Sequence, residues 1–166
     1  MFLTPDEKVI EAVSSLASRF SRRSLKSSAE EEEEEEEDRN CARMVLLTNT
    51  AEKRARVALH CLGLSEYFDE VYGADFMRPS CKPEEAAFEK VLADIGVVAP
   101  ERAVMFEDSF KNLKAAKAVG MTTVFVTGAT MGEEGVETAK LHATADAVIP
   151  SIALPALRDA LPTLWE

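Results

Sequence analysis

Two adjacent acidic residues, Glu107 and Asp108, stand where an apolar run ends and a helical pattern begins, in the stretch AVMFEDSFKNLKAAKAVGM. Side by side, two carboxylates repel each other unless a cation or a base offsets their charge. A hard cation such as Mg²⁺ takes oxygen ligands of this type. The alternative is that Asp108 or Ser109 only caps the helix that follows, and the spacing taken alone favours this simpler interpretation.

Three further residues have groups suited to an anion. Thr48 and Asn49 follow the apolar run VLL, and Lys82 stands just before a predicted helix in the stretch CKPEE. A hydroxyl and a backbone N–H at the start of a helix form a site of phosphate size, and a lysine there can neutralise phosphate oxygens. Taken one at a time, an ordinary helix cap and a surface lysine paired with a nearby acid are the simpler interpretations.

The elements that must position these residues alternate between strands and helices from residue 41 onward. Apolar, β-branched runs predict strands, and amphipathic stretches of about 10–15 residues between them predict helices, which implies βαβ units. We therefore predict an α/β fold, a three-layer Rossmann-like parallel sheet with helices on both faces. In such a sheet the ligand site lies beyond the carboxyl ends of the strands. The predicted strands are RMVLLTN, FDEVYGA, AVMFED, TTVFVT and DAVIP, and the predicted helices are AEKRARVALHCLGL, KPEEAAFEKVLADIGV, SFKNLKAAKAVG and SIALPALRDALPTL.

The chain divides into three predicted parts. Residues 1–20 form an N-terminal helix that packs on the core, with Thr4 as its cap, Pro5 in its first position and Glu7 completing a capping box. Residues 21–40 are a disordered acidic insert or linker because they have almost no apolar content. Residues 41–166 are the core domain.

The net charge of −11 comes mostly from one run of nine acids, Glu30–Asp38. Without this run the net charge is only −2, which gives no electrostatic case for nucleic acid. Acidic runs are usually solvated and bind nothing in particular, and contact with a basic protein partner is the less favoured alternative.

The cysteines and the hydropathy point to a cytoplasmic location, with the nucleus as an alternative. The 3 cysteines are not clustered as C-x-x-C, so neither a disulfide framework nor a zinc site is predicted. No window approaches the roughly 18 consecutive apolar residues that span a bilayer, so no membrane association is expected.

Taken together, the order and spacing of these motifs resemble the haloacid dehalogenase-like hydrolases. VLLTN resembles the second motif of that family, Lys82 of CKP its third, and FEDSFKN its fourth. The stretches CKPEEAAFEKVL, RAVMFEDSFKNLKAAKAVGMTTVFV and LPTLWE look like its pyrimidine 5′-nucleotidase-like branch. The resemblance covers residues 41–166, and residues 5–20 resemble the segment that follows the family's cap domain.

The resemblance implies a Mg²⁺-dependent phosphomonoesterase whose substrate is a phosphorylated small molecule, a nucleoside monophosphate in the branch named above. In such enzymes one aspartate attacks phosphorus to form an aspartyl-phosphate, and a second aspartate two residues later is the general acid/base. Carried over to this sequence, Thr48 hydrogen-bonds the phosphoryl group together with the N–H of Asn49. Lys82 holds the charges of the nucleophile and the phosphate together, so that Lys82 and Thr48 are the catalytic residues of this chain.

The same resemblance implies a metal loop around the two acids. Asp108 ligates Mg²⁺, and Glu107 assists directly or through water. Ser109 and Asn112 support this loop. Mg²⁺ neutralises charge on the phosphoryl oxygens.

The family's first motif, Asp-x-Asp-x-Thr, is missing, because none of the 8 aspartates has another aspartate two residues later. The nucleophile, the general acid/base and the expected cap are therefore absent, and we expect Mg²⁺ to bind weakly or not at all. In the family this motif ends the central strand. The strands carrying Thr48 and Asp108 therefore lose a shared neighbour, and either keep unpaired edges or close on each other. Thr144 and Asp146 are weaker candidates for the mouth of the site.

Three interpretations stay open. The chain is an N-terminally truncated phosphatase whose native form carries the nucleophile in an extension. Alternatively, it is a catalytically inactive phosphate- or nucleotide-binding protein that regulates a partner through its acidic tract. In the third, a separate chain supplies the missing strand and the aspartates.

Overall fold

A computed structural model describes residues 3–21, 42–128 and 144–164. Its five strands are β1 (Val45–Leu47), β2 (Glu70–Tyr72), β3 (Val104–Glu107), β4 (Thr122–Val126) and β5 (Ala147–Ile149). Its helices are α1 (Glu7–Ser21), α2 (Glu52–Cys61), α3 (Ala74–Met77), α4 (Glu85–Asp94), α5 (Phe110–Val119) and α6 (Leu154–Ala160). Short 3₁₀ turns cover Ser65–Tyr67, Pro100–Arg102 and Pro162–Leu164. None of these helices combines the length and the apolar character needed to cross a bilayer.

All strand pairs are parallel, as predicted, but they form two sheets. One sheet has the order β1-β2, and the other has the order β3-β4-β5. In the part of the chain that the structure describes, no ladder joins β1 to β3. Of the two arrangements expected for these strands, the structure therefore has the one with unpaired edges.

The two sheets nevertheless share helices on both faces. Met44, just before β1, and Phe106 of β3 pack against one apolar cluster, whereas Leu47 of β1 and Met105 of β3 pack against another. Met105 and Phe106 are consecutive strand residues and point to opposite faces. The predicted α/β architecture with helices on both faces is confirmed. The buried members of the two clusters are Ala12, Leu16, Val124, Ile149 and Leu157 on the side of α1 and α6, and Phe88, Leu92, Ala115, Ala116 and Met121 on the side of α4 and α5.

The first helix begins later than predicted. It starts at Glu7 rather than at Pro5. Oδ1 of Asp6 accepts a hydrogen bond from the backbone N–H of Lys8 at 2.9 Å, which is the contact of a capping side chain. The prediction that Thr4 caps this helix is therefore wrong, because Asp6 lies next to the first free N–H groups and takes them.

A glycine brings α2 against the turn that follows β2. A Cβ atom on Gly73 would overlap the backbone nitrogen of Glu52 and would lie 2.5 Å from Oδ1 of Asp75. That oxygen accepts a hydrogen bond from the N–H of Glu52 at 2.9 Å. The start of α2 is thus capped from a distant turn, and any side chain at Gly73 would push the two apart.

Ionisation of the Tyr72 phenol is expected to destabilise the fold at high pH. Tyr72 is 5% exposed, and its hydroxyl donates to Oδ2 of Asp94 at 2.8 Å. Burial and this hydrogen bond raise the pKa of Tyr72 from 10.0 to about 12. Because the folded state keeps the proton longer than the unfolded state, the stabilisation is present below pH 10 and is lost as the pH rises toward 12.

We therefore expect the free energy of unfolding to fall by about 2 kcal/mol more in the wild type than in Tyr72→Phe across that interval. Urea unfolding at a series of pH values measures the difference. Parallel curves for the two proteins would show that the phenol titrates as it does in the unfolded chain.

Candidate functional site

A buried ion pair lies at the carboxyl end of β3. Nζ of Lys82, in the loop between α3 and α4, donates to Oε2 of Glu107, the last residue of β3, at 2.7 Å. The two side chains are only 10% and 5% exposed. The lysine therefore connects the segment that follows the β1-β2 sheet to the end of the other sheet.

Both carboxylate oxygens of Glu107 accept further hydrogen bonds. Oε1 accepts from the backbone N–H groups of Asp108 at 3.1 Å and Ser109 at 3.0 Å. Oε2 accepts from Nδ2 of Asn112 at 3.1 Å in addition to Lys82. Burial raises the pKa of Glu107, but the hydrogen bonds from Lys82 and from the turn outweigh it and hold the pKa below its usual 4.5. Glu107 is thus an ionised side chain with two of these donors on each carboxylate oxygen.

The neighbouring Asp108 has the opposite character. Its side chain is exposed. Hydrogen bonding to Glu107, partial burial and the charge of Glu107 raise the pKa of Asp108 above its usual 3.8. Ser109 occupies the cap position of α5 but makes no capping bond with its side chain. The simpler interpretation, in which Asp108 or Ser109 caps this helix, is therefore wrong, because Glu107 receives the N–H groups of the turn instead.

The side chain of Asn49 holds the backbone of Lys82. Oδ1 of Asn49 accepts from the N–H of Lys82 at 2.9 Å, and Nδ2 donates to the carbonyl of Lys82 at 2.8 Å. The family resemblance implies a role only for the backbone N–H of Asn49. In the part of the chain that the structure describes, that backbone N–H has no hydrogen-bond partner. It can therefore donate a hydrogen bond to an anion.

Thr48 directly follows β1 and precedes Asn49. Its backbone N–H donates to the carbonyl of Tyr72, and its Oγ1 accepts from the N–H of Thr50 at 3.1 Å. Neither Thr48 nor Asn49 caps α2, since the first N–H of that helix, at Glu52, is bound by the distant carboxylate described above. The hydroxyl hydrogen of Thr48 remains able to donate to a ligand.

The predicted residues therefore converge, with the exception of the two candidates for the mouth of the site, Thr144 and Asp146, which both contact Thr123 of β4. Thr48, Asn49, Lys82, Glu107, Asp108, Ser109 and Asn112 lie at one edge of the two sheets. Asp146, offered as a candidate for the mouth of the site, lies elsewhere. Its Oδ2 accepts from the N–H of Thr123 near the amino end of β4, and Lys117 donates to its Oδ1. Asp146 joins β4 to the start of β5 at the amino ends of these strands, opposite the candidate site.

The donor set fits Mg²⁺ only in part. Asp108 offers an exposed carboxylate, but a direct contact from Glu107 would have to displace one of the donors it already binds. Within residues 3–21, 42–128 and 144–164, no three His, Cys, Asp or Glu side chains come together as a metal-binding group. Asp108 is the residue here that would hold Mg²⁺, and it would hold it weakly without further ligands.

The model of the haloacid dehalogenase-like hydrolase family matches residues 7–120, which is more than half of the chain. This chain therefore belongs to that family. A solved structure of a haloacid dehalogenase phosphatase from Thermococcus onnurineus superposes with a TM-score of 0.63 at 24% identity, covering 94% of this chain and 57% of the other. That likeness supports the fold.

Two curated relatives are phosphatases. The phosphorylated carbohydrates phosphatase of Thermotoga maritima is 34% identical over 83 residues, which cover 50% of this chain and 38% of the relative. Phosphoglycolate phosphatase 1 of Pseudomonas aeruginosa is 33% identical over 125 residues, which cover 75% of this chain and 42% of the relative. This chain thus spans less than half the length of either, and neither name supports the predicted nucleotidase branch.

Proposed function

We propose that this chain forms the phosphate-holding part of a phosphomonoesterase site for a phosphorylated small molecule. The observation that carries this proposal is the continuous series of contacts from Asn49 through Lys82 and Glu107 to Asn112. It holds a largely buried lysine against the residue that follows Thr48, at the strand ends where α/β sheets bind ligands.

Each of these groups has a defined task in the proposed site. The hydroxyl of Thr48 and the N–H of Asn49 donate to phosphoryl oxygens, and Lys82 offsets their charge. Asp108 is the carboxylate that would hold Mg²⁺, which supplies further charge neutralisation when bound. Glu107, with Ser109 and Asn112, orients this turn.

Hydrolysis requires a nucleophile that these 166 residues do not supply as an Asp-x-Asp pair. We propose that a strand from another segment or chain brings the aspartates in between β1 and β3. All three side chains of β1 and three of the four in β3 are only half-buried, although both strands share helices on both faces. Buried positions are expected for strands inside a covered parallel sheet. A phosphate-binding protein without hydrolytic activity is the alternative, favoured by the same missing aspartates.

The names of the curated relatives bear on the substrate. They favour a small phosphorylated carbon compound such as a phosphorylated carbohydrate or phosphoglycolate. A nucleoside monophosphate stays a prediction from the resemblance alone. The basic protein partner predicted for Glu30–Asp38 concerns residues outside those the structure describes, and it stays a prediction.

The 166-residue chain alone is expected to hydrolyse p-nitrophenyl phosphate, phosphoglycolate and pyrimidine nucleoside monophosphates only at the background rate, because its sequence lacks the Asp-x-Asp pair that would supply the nucleophile. Released phosphate is measured in Mg²⁺ with the wild type and with Lys82→Met, which should give the same rate. Turnover by the wild type that Lys82→Met abolishes would show that the chain carries its own nucleophile.

A further inference from the structure

The loop that carries Lys82 is held by one backbone hydrogen bond, from the N–H of Glu84 to the carbonyl of Cys81, and by side chains. Residues 78–84 lie between α3 and α4 outside any helix or strand, so their backbone groups need other partners. Nζ of Lys90 donates to the carbonyls of Phe76 at 2.6 Å and Arg78 at 3.1 Å, which holds the beginning of the loop. At Lys82 itself, the loop is held by two hydrogen bonds to the side-chain amide of Asn49.

Lys82 is held at both ends: Asn49 binds its backbone, and Glu107 binds its ammonium group. The amide of Asn49 satisfies both the N–H and the carbonyl of Lys82, and the carboxylate of Glu107 binds the Nζ of the same residue. Since β1 and β3 share no ladder in the part of the chain described here, the lysine is held between two sheets that do not align each other through backbone hydrogen bonds. Its position therefore depends on both contacts.

We propose that the side chain of Asn49 is a positioning residue, which sets the place of the Lys82 ammonium relative to the phosphoryl group. Its amide acts on the backbone of Lys82, whereas its backbone N–H faces the anion. This inference rests on the proposed phosphate site. Its geometric part, the control of Lys82 by Asn49, can also be tested without any ligand.

The ligand-free test uses the Lys82 side chain as its reporter. Nuclear magnetic resonance of the Cε–Hε groups, assigned by the signal lost in Lys82→Met, shows two distinct Hε shifts when the methylene is held in one orientation. We expect the wild type and the control Thr50→Ala to show two shifts, and Asn49→Ala to show one averaged shift. Thr50 is adjacent and exposed, and its hydroxyl has no partner in the described residues. Unchanged Lys82 signals in Asn49→Ala would overturn the proposal.

A second variant, Asn49→Asp, tests the same contact in case Asn49→Ala does not fold. Asn49→Asp keeps the acceptor for the N–H of Lys82 but places a carboxylate oxygen against the carbonyl of Lys82, where Nδ2 now donates. We expect it to average the Lys82 signals as Asn49→Ala does. Two distinct shifts in a folded Asn49→Asp would overturn the proposal.

Binding of inorganic phosphate, measured by calorimetry in Mg²⁺, separates positioning from direct contact. We expect Asn49→Ala to weaken binding by about tenfold in the wild-type background and by less than about twofold in Lys82→Met, since contacting residues couple. Equal losses in the two backgrounds would overturn the positioning role. If the wild type binds no phosphate, the proposed function fails, and the Lys82 signals alone decide whether Asn49 controls the lysine.

Discussion

Lys82→Met is expected to lower the free energy of unfolding by about 3–5 kcal/mol, the usual cost of removing one partner from a buried ion pair. The substitution leaves the carboxylate of Glu107, only 5% exposed, without its cation. The N–H groups of the turn and Asn112 still hydrogen-bond this carboxylate, but they carry no formal charge. Urea unfolding at pH 7 measures the loss.

Two further variants separate the effect of breaking the ion pair from the effect of losing any lysine. Lys114→Met on the exposed side of α5 removes a lysine with no partner in the described residues and should change stability by no more than about 0.5 kcal/mol. Adding Glu107→Gln to Lys82→Met should recover about 1–2 kcal/mol, because a neutral amide needs no cation. A loss in Lys82→Met as small as in Lys114→Met would mean that the pair is exposed to water.

Asp108→Asn is expected to change phosphate binding in opposite directions with and without metal. The charges of Lys82 and Glu107 offset each other, which leaves Asp108 as the net charge of the site. In a chelator, removing that charge should raise the affinity for inorganic phosphate by about 3–10-fold, the size of a solvent-screened repulsion over several ångströms. In Mg²⁺ the wild type should gain affinity and the variant should not, because Asp108 is the carboxylate that would hold the metal.

Calorimetric titration with inorganic phosphate, in a chelator and in Mg²⁺, measures these affinities and tests where the metal binds. Asp159→Asn on α6 removes an exposed carboxylate with no partner in the residues described, and it should leave both affinities unchanged. If Asp108→Asn weakens phosphate binding in the chelator, Asp108 does not face the anion. If Asp108→Asn keeps the gain from Mg²⁺, the metal binds elsewhere.

Most strands and helices are predictable because their apolar residues recur with the period of the element. The run before Glu107 and the amphipathic stretch after it became β3 and α5, and Gly120, with a φ of 101°, ends α5 as predicted. The helix α3 was missed because its four residues are too few to show a period. The start of α1 was misplaced because Thr4 and Asp6 are both good caps, and the sequence does not rank them.

The residues of the site are predictable from their places at strand ends, but their contacts are not. Asn49 and Lys82 are 33 residues apart, and no sequence pattern indicates that an amide will bind both backbone groups of a lysine. The resemblance made Asp108 the ligand of Mg²⁺ and Glu107 its assistant, but the sequence did not indicate that Glu107 would be buried in an ion pair. The two differ because the loop brings Lys82 to one of them and leaves the other exposed.

The most direct measurement is an amide chemical-shift titration of the ¹⁵N-labelled 166-residue chain with inorganic phosphate in Mg²⁺. We predict saturable changes that are largest at the amides of Thr48, Asn49, Lys82, Asp108 and Ser109, and that Lys82→Met abolishes. No saturable change, or the largest changes around Asp146 at the opposite edge of the sheet, would contradict a phosphate site at the ends of β1 and β3.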